Sequence, residues 1–60
     1  MGTLMTVDDV ARYLRVSKSG VYRWVTERKL PALRAGHLLR FRSEDVEAFL
    51  KRELKEAVGD

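Results

Sequence analysis

The stretch from Thr6 to Glu27, TVDDVARYLRVSKSGVYRWVTE, constrains the fold more than any other part of the chain. Val7, Val10, Ala11 and Leu14 recur at i, i+3, i+4 and i+7, which puts them on one face of a helix. After a short break, Val21, Trp24 and Val25 repeat the i, i+3, i+4 pattern, and Val16 falls between the two stripes, where it can plug a turn. This spacing closes one short helix against the next at a steep angle.

The ends of these helices are written locally. Thr6-Val7-Asp8-Asp9 approximates a capping box, with Thr6 as N-cap and Asp9 where Glu or Gln is usual. Both carboxylates also suit the positive end of a helix. The first helix is therefore expected over about 7–14. Ser17 caps a second over about 18–28. Helix propensity fails around Lys29, and Pro31 drives the preceding residue towards extended geometry. Leu33-Arg34 and Leu39-Arg40-Phe41 read as short strands of a wing over about 33–41, around Ala35-Gly36-His37-Leu38, with Gly36 able to take positive φ. Ser43 caps a last helix over about 44–58, with Val46, Phe49, Leu50 and Leu54 as its buried stripe and Gly59 as its stop.

Helix, helix, hairpin, helix is the order of a winged helix-turn-helix. The expected fold is thus mainly α with a small β-hairpin, in one domain over 1–60. Its core should join Val7, Val10, Leu14, Val16, Val21, Trp24 and Val25 to Leu30, Leu33 or Leu39, Phe41, Val46, Phe49 and Leu50. Trp24 is expected at the centre, because its large surface can bridge two helices and the hairpin. Leu38 is expected to fold onto this core.

Charge is distributed unevenly. Residues 12–42 carry nine Lys or Arg against the single acid Glu27, a net of +8, while residues 1–11 and 43–60 are both net acidic. A basic middle of this kind implies a polyanionic partner. No cysteine is available for a disulfide or a thiolate metal site. No apolar run is long enough to cross a bilayer, and no signal segment opens the chain. These features imply a cytoplasmic protein without a membrane role. His37 is the single histidine and lacks a metal-ligating partner, so a surface turn residue that touches phosphate is its expected role. No nucleophile–base constellation, phosphate-cradling glycine loop or metal cluster is visible, so neither catalysis nor a cofactor is expected. Glu47/Lys51 and Arg52/Glu56 have the i, i+4 spacing of surface ion pairs.

Lys18, Ser19, Tyr22, Arg23 and Thr26 fall away from the Val21/Trp24/Val25 stripe and form the outward face of the second helix. Lys18 and Ser19 lie in its first turn, where backbone N–H groups favour a phosphate. Arg23 offers two parallel donors to a guanine edge or a phosphate, and Tyr22 and Thr26 offer hydroxyls. Arg34 and Arg40 are expected to face outward together from the wing, beside Gly36 and His37 at its tip, as a basic finger for a backbone or minor groove. Gly20 either allows close approach of the backbone to DNA or is simply tolerated near the helix start.

Taken together, Thr6-Val7, Val10-Ala11, Leu14, Val16-Ser17, Ser19, Val21-Tyr22-Arg23-Trp24-Val25, Leu30-Pro31-Ala32, Arg40-Phe41 and Glu44-Asp45-Val46-Glu47-Ala48-Phe49-Leu50 resemble the MerR-like, excisionase-type helix-turn-helix domains. The resemblance spans nearly the whole chain. It implies a winged domain that binds double-stranded DNA, with the second helix in the major groove and the wing on a flanking minor groove. The implied contacts are Lys18, Ser19, Tyr22, Arg23 and Thr26 on the helix and Arg34, His37 and Arg40 in or beside the wing. Such domains serve as recombination directionality factors or small transcription regulators, which would bring self-association, cooperative assembly on DNA, or an integrase as further partners. Three positions depart from the family: Arg15 stands where glycine is usual, Gly20 where a polar contact is usual, and Gly36-His37-Leu38-Leu39 where a further arginine and an aromatic are common. The rival reading is a protein-interaction module, in which the acidic last helix or Leu38 binds a partner and the basic patch is incidental.

Overall fold

The computed structural model describes residues 3–53. The element order is β1 (Leu4–Met5), α1 (Val7–Leu14), α2 (Lys18–Thr26), β2 (Leu33–Ala35), β3 (Leu38–Arg42) and α3 (Ser43–Glu53). The expected winged arrangement is present, with one addition. Leu4 and Met5 pair antiparallel with Arg42 and Phe41, so the wing is a three-stranded sheet in the order β1-β3-β2. A strand of two residues is too short for an alternating pattern, so periodicity could not announce it. The expected reach of the last helix to 58, with Leu54, Glu56 and Gly59, lies outside the described residues.

Local chemistry sets the helix starts. The Asp9 N–H donates to Thr6 Oγ1 at 3.0 Å, and the Thr6 N–H donates to Asp9 Oδ2 at 2.9 Å, a complete capping box. Ser17 Oγ accepts from the Gly20 N–H at 3.2 Å and caps α2. Ser43 behaves otherwise than expected. It is the first residue of α3, its N–H donates to the Thr3 carbonyl at 2.9 Å, and its hydroxyl accepts from the Thr3 N–H at 3.3 Å. Its polar groups tie the start of the sheet to the start of α3.

Both inner helices stop on an arginine in the left-handed region. Arg15 has φ 58° and ψ 48°, with the Val16 N–H donating back to Ala11 at 2.9 Å. α2 ends at Thr26, two residues short of the expected Arg28, because Arg28 itself turns left-handed at φ 62°. The Arg28 and Lys29 N–H groups return to the carbonyls of Val25 (3.0 Å) and Trp24 (2.9 Å), the paired bonds of a Schellman stop. Glycine adopts this conformation freely, whereas a side chain there costs about 1–2 kcal/mol.

The core comprises Val7, Val10, Ala11, Val21, Leu30, Leu39, Phe41, Val46 and Phe49. Phe41 and Phe49 are its largest fully buried members, each contributing about 1.5–3 kcal/mol relative to exposure. Trp24 does not occupy the centre: it is partly buried and caps Phe49, ring centroids 4.7 Å apart at a tilt of 51°. β3, running through the middle of the sheet, delivers Phe41 to the interior instead. Leu14, Val16 and Val25 are likewise only partly buried, and Leu50 is half-buried. Of the two alternatives, Leu39 is the core leucine, and Leu33 lies on the opposite face. Leu38 does not fold onto the core: it is 54% exposed. On α3, Glu47 accepts a hydrogen bond from the Tyr13 hydroxyl of α1 rather than pairing with Lys51, and that bond raises the phenol's pKa.

Candidate nucleic-acid interface

The α1–α2 packing decides which face of α2 is left over. Val21 is fully buried and Trp24 and Val25 turn inward, so Lys18, Ser19, Tyr22, Arg23 and Thr26 are all exposed on the other side. The wing lies beside this face, and Leu39 is shared by two clefts that flank it.

One cleft, of about 270 Å³, is lined by Thr6, Val7, Asp8, Lys18, Tyr22, His37, Leu38, Leu39 and Arg40. Four of the sequence-derived candidates (Lys18, Tyr22, His37 and Arg40) therefore come together between the start of α2 and the wing tip. Gly36 takes φ 65° and turns the tip, as its position in the hairpin required. Lys18 is not free within this cleft: its ammonium lies 3.1 Å from the Asp8 carboxylate. Arg40 is steadied by a 2.8 Å bond from its guanidinium to its neighbour's carbonyl at Leu39. Together with Arg12, Arg40 also helps the Thr6 hydrogen bonds hold the Asp9 carboxyl below its usual range.

The second cleft, of about 500 Å³, runs between the end of α2 and β2, lined by Val25, Thr26, Arg28, Leu30, Pro31, Ala32, Arg34 and Leu39. It brings Thr26 and Arg34 together, in a different cleft from His37. The expectation that Arg34 and Arg40 face outward together does not hold. Arg34 is registered opposite Leu39, and Arg40 opposite Leu33, so the two arginines leave opposite faces of the sheet. Ser19 and Arg23 line neither cleft and stand on the open face of α2 between them.

Ion pairing separates the basic residues into two sets. Arg12, Lys18, Lys29, Arg42 and Arg52 are matched with Asp9, Asp8, Glu27, Asp45 and Glu53. Among the described residues, Arg15, Arg23, Arg28, Arg34, Arg40 and Lys51 have no ion-pair partner. Arg28 is the cleft residue that sequence reasoning missed. Helix propensity puts it in the last turn of α2, whereas it forms the left-handed stop just beyond. The outer face of the sheet also exposes Leu4 (55%), Leu33 (37%) and Leu38 (54%), which with Arg34, Ala35 and Arg40 line a largely apolar hollow. Among the described residues no cluster of His, Cys, Asp and Glu could hold a metal ion, and no helix is long and apolar enough to cross a membrane.

Over residues 4–54 the sequence matches the family described as a helix-turn-helix domain. The chain belongs to this helix-turn-helix family. The resemblance to MerR-like, excisionase-type members stands with it. Two proteins of Mycobacterium tuberculosis, from strains CDC 1551 and H37Rv, are each 44% identical to it over 48 residues, covering 80% of this chain. Both carry the name "Putative DNA-binding protein". The aligned part spans 62% of their length.

Proposed function

We propose that this helix-turn-helix domain binds double-stranded DNA without catalysing a reaction, α2 entering the major groove and the wing lying on the neighbouring minor groove or backbone. The observation that carries the reading is the exposed face of α2, where Lys18, Ser19, Tyr22, Arg23 and Thr26 project beside a wing that adds Arg34, His37 and Arg40. The names of the mycobacterial relatives support it. Arg23, exposed and without an ion-pair partner among the described residues, is the base-reading candidate, while Lys18 and Ser19 at the capped helix start suit phosphate. Leu38, exposed at the wing, suits a wedge against a base step. The role we assign is that of an excisionase-like recombination directionality factor or a small transcription regulator.

A salt titration tests the electrostatic part. If Lys18, Arg23, Arg34 and Arg40 each neutralise a phosphate, log affinity against log salt falls with a slope of about −3.6, and a slope near zero excludes the reading. Arg23→Ala separates base from backbone. Loss of about 1–3 kcal/mol on the selected site alone marks base reading, and equal weakening on all duplexes marks phosphate.

The exposed apolar hollow of Leu4, Leu33 and Leu38 favours a second use of the same scaffold, as a contact surface for another protein or for a neighbouring copy on the DNA. Capture of a protein partner by a chain that binds no duplex at low salt would make that use the primary one.

A further inference from the structure

We propose that the cleft between the end of α2 and β2 is a separate phosphate subsite, in which Arg28 and Arg34 hold one backbone phosphate from two sides. This rests on the DNA-binding reading above. The cleft has the chemistry of an anion seat. Its lining joins two arginines, Arg28 and Arg34, and the hydroxyl residue Thr26 to the apolar Val25, Leu30, Pro31, Ala32 and Leu39, and among the described residues no acidic residue lines it. The other cleft differs here, since Asp8 already sits on Lys18. Neither Arg28 nor Arg34 has an ion-pair partner among the described residues, and the nearest acid in sequence, Glu27, lies 3.6 Å from Lys29. A guanidinium presents planar paired donors that match phosphate oxygens, so two arginines lining one cleft suit a single shared phosphate.

The backbone of Arg28 supplies an independent argument. At φ 62° it occupies the position where a helix stop favours glycine, and among the described residues its exposed side chain has no hydrogen-bond or ion-pair partner that would offset the strain. Left-handed residues other than glycine cluster at active sites, ligand clamps and switch regions. Arg15 supplies the control. It is equally left-handed, at φ 58°, and equally charged, but it lines neither cleft.

Arg28→Gly and Arg15→Gly each remove one charge and relieve one strained position, so both should melt at a higher temperature than the unaltered chain. Their binding to a mixed-sequence duplex should diverge. Arg28→Gly loses one phosphate contact, so its salt slope is shallower by about 0.9 than that of Arg15→Gly. Its deficit against that control therefore grows about 3.5-fold as salt is lowered from about 0.2 M to 0.05 M. Adding Arg34→Ala to Arg28→Gly should cost less than Arg34→Ala alone, because both arginines serve one phosphate. Equal slopes for the two glycine variants, or full additivity with Arg34→Ala, overturn the subsite while leaving the DNA reading intact. Failure of the unaltered chain to bind any duplex at low salt overturns both.

Discussion

Asp8 stands inside the cleft that should meet DNA, so its removal ought to strengthen binding. Its carboxylate lies 3.1 Å from the Lys18 ammonium, and both side chains are 61% exposed. A phosphate seated on the far side of that ammonium would lie about 6 Å from the carboxylate, a repulsion of about 0.7 kcal/mol in water. An exposed ion pair gives up about 0–1 kcal/mol when it breaks. Asp8→Asn removes both terms, so duplex binding should tighten by about 1 kcal/mol, roughly fivefold, at salt low enough that screening does not erase it. The same change removes a favourable charge from the first turn of α1 and should lower stability by about 0.3–1 kcal/mol. Fluorescence anisotropy with a labelled duplex, beside a thermal melt, reads both effects. Weaker binding by Asp8→Asn at unchanged foldedness would mean that Asp8 positions Lys18 rather than competing for it, and the reasoning would fail.

Gly20→Ala should stabilise the chain by about 1 kcal/mol, because a methyl there meets only Ser17 Oγ at 3.6 Å and Val16 Cβ at 4.0 Å. If a melt shows that gain while affinity drops, the bare backbone of Gly20 approaches DNA, and unchanged affinity makes it a tolerated helix residue. Asp9 predicts an acid limb in stability. Its folded pKa lies below the ordinary 3.8, so its contribution is complete above that value and is lost as pH falls through the depressed one. Asp9→Asn should flatten the melting temperature of the acid limb, and an unaltered limb would deny the capping box that role.

What could be read from the sequence was what neighbours in the chain decide among themselves. Thr6, Asp9 and Ser17 cap helices through partners three residues away, and Gly36 turns a hairpin through its own φ. Stripe spacing likewise gave the inner face of α2 and therefore its outer one. What failed depended on register and on distant packing. A one-residue offset in the pairing of β2 with β3 separates Arg34 from Arg40, and nothing in either strand's composition reports it. Trp24 has the size of a core centre, but the fully buried aromatics are Phe41, carried by the middle strand, and Phe49. The stop at Arg28 was hidden because arginine is a good helix former and a poor left-handed one.

The short strand at Leu4–Met5 has a mechanical consequence. A finger hung on two strands alone would be free to swing about its base, whereas here β1 grips the root of the middle strand at Phe41 and Arg42, and Thr3, just before β1, is tied to Ser43 at the start of α3. Load applied at the tip is thereby passed to the body of the molecule instead of being absorbed by bending. The stiffening adds little adhesive margin, since the outer strands are two and three residues long and one of them bears Arg34.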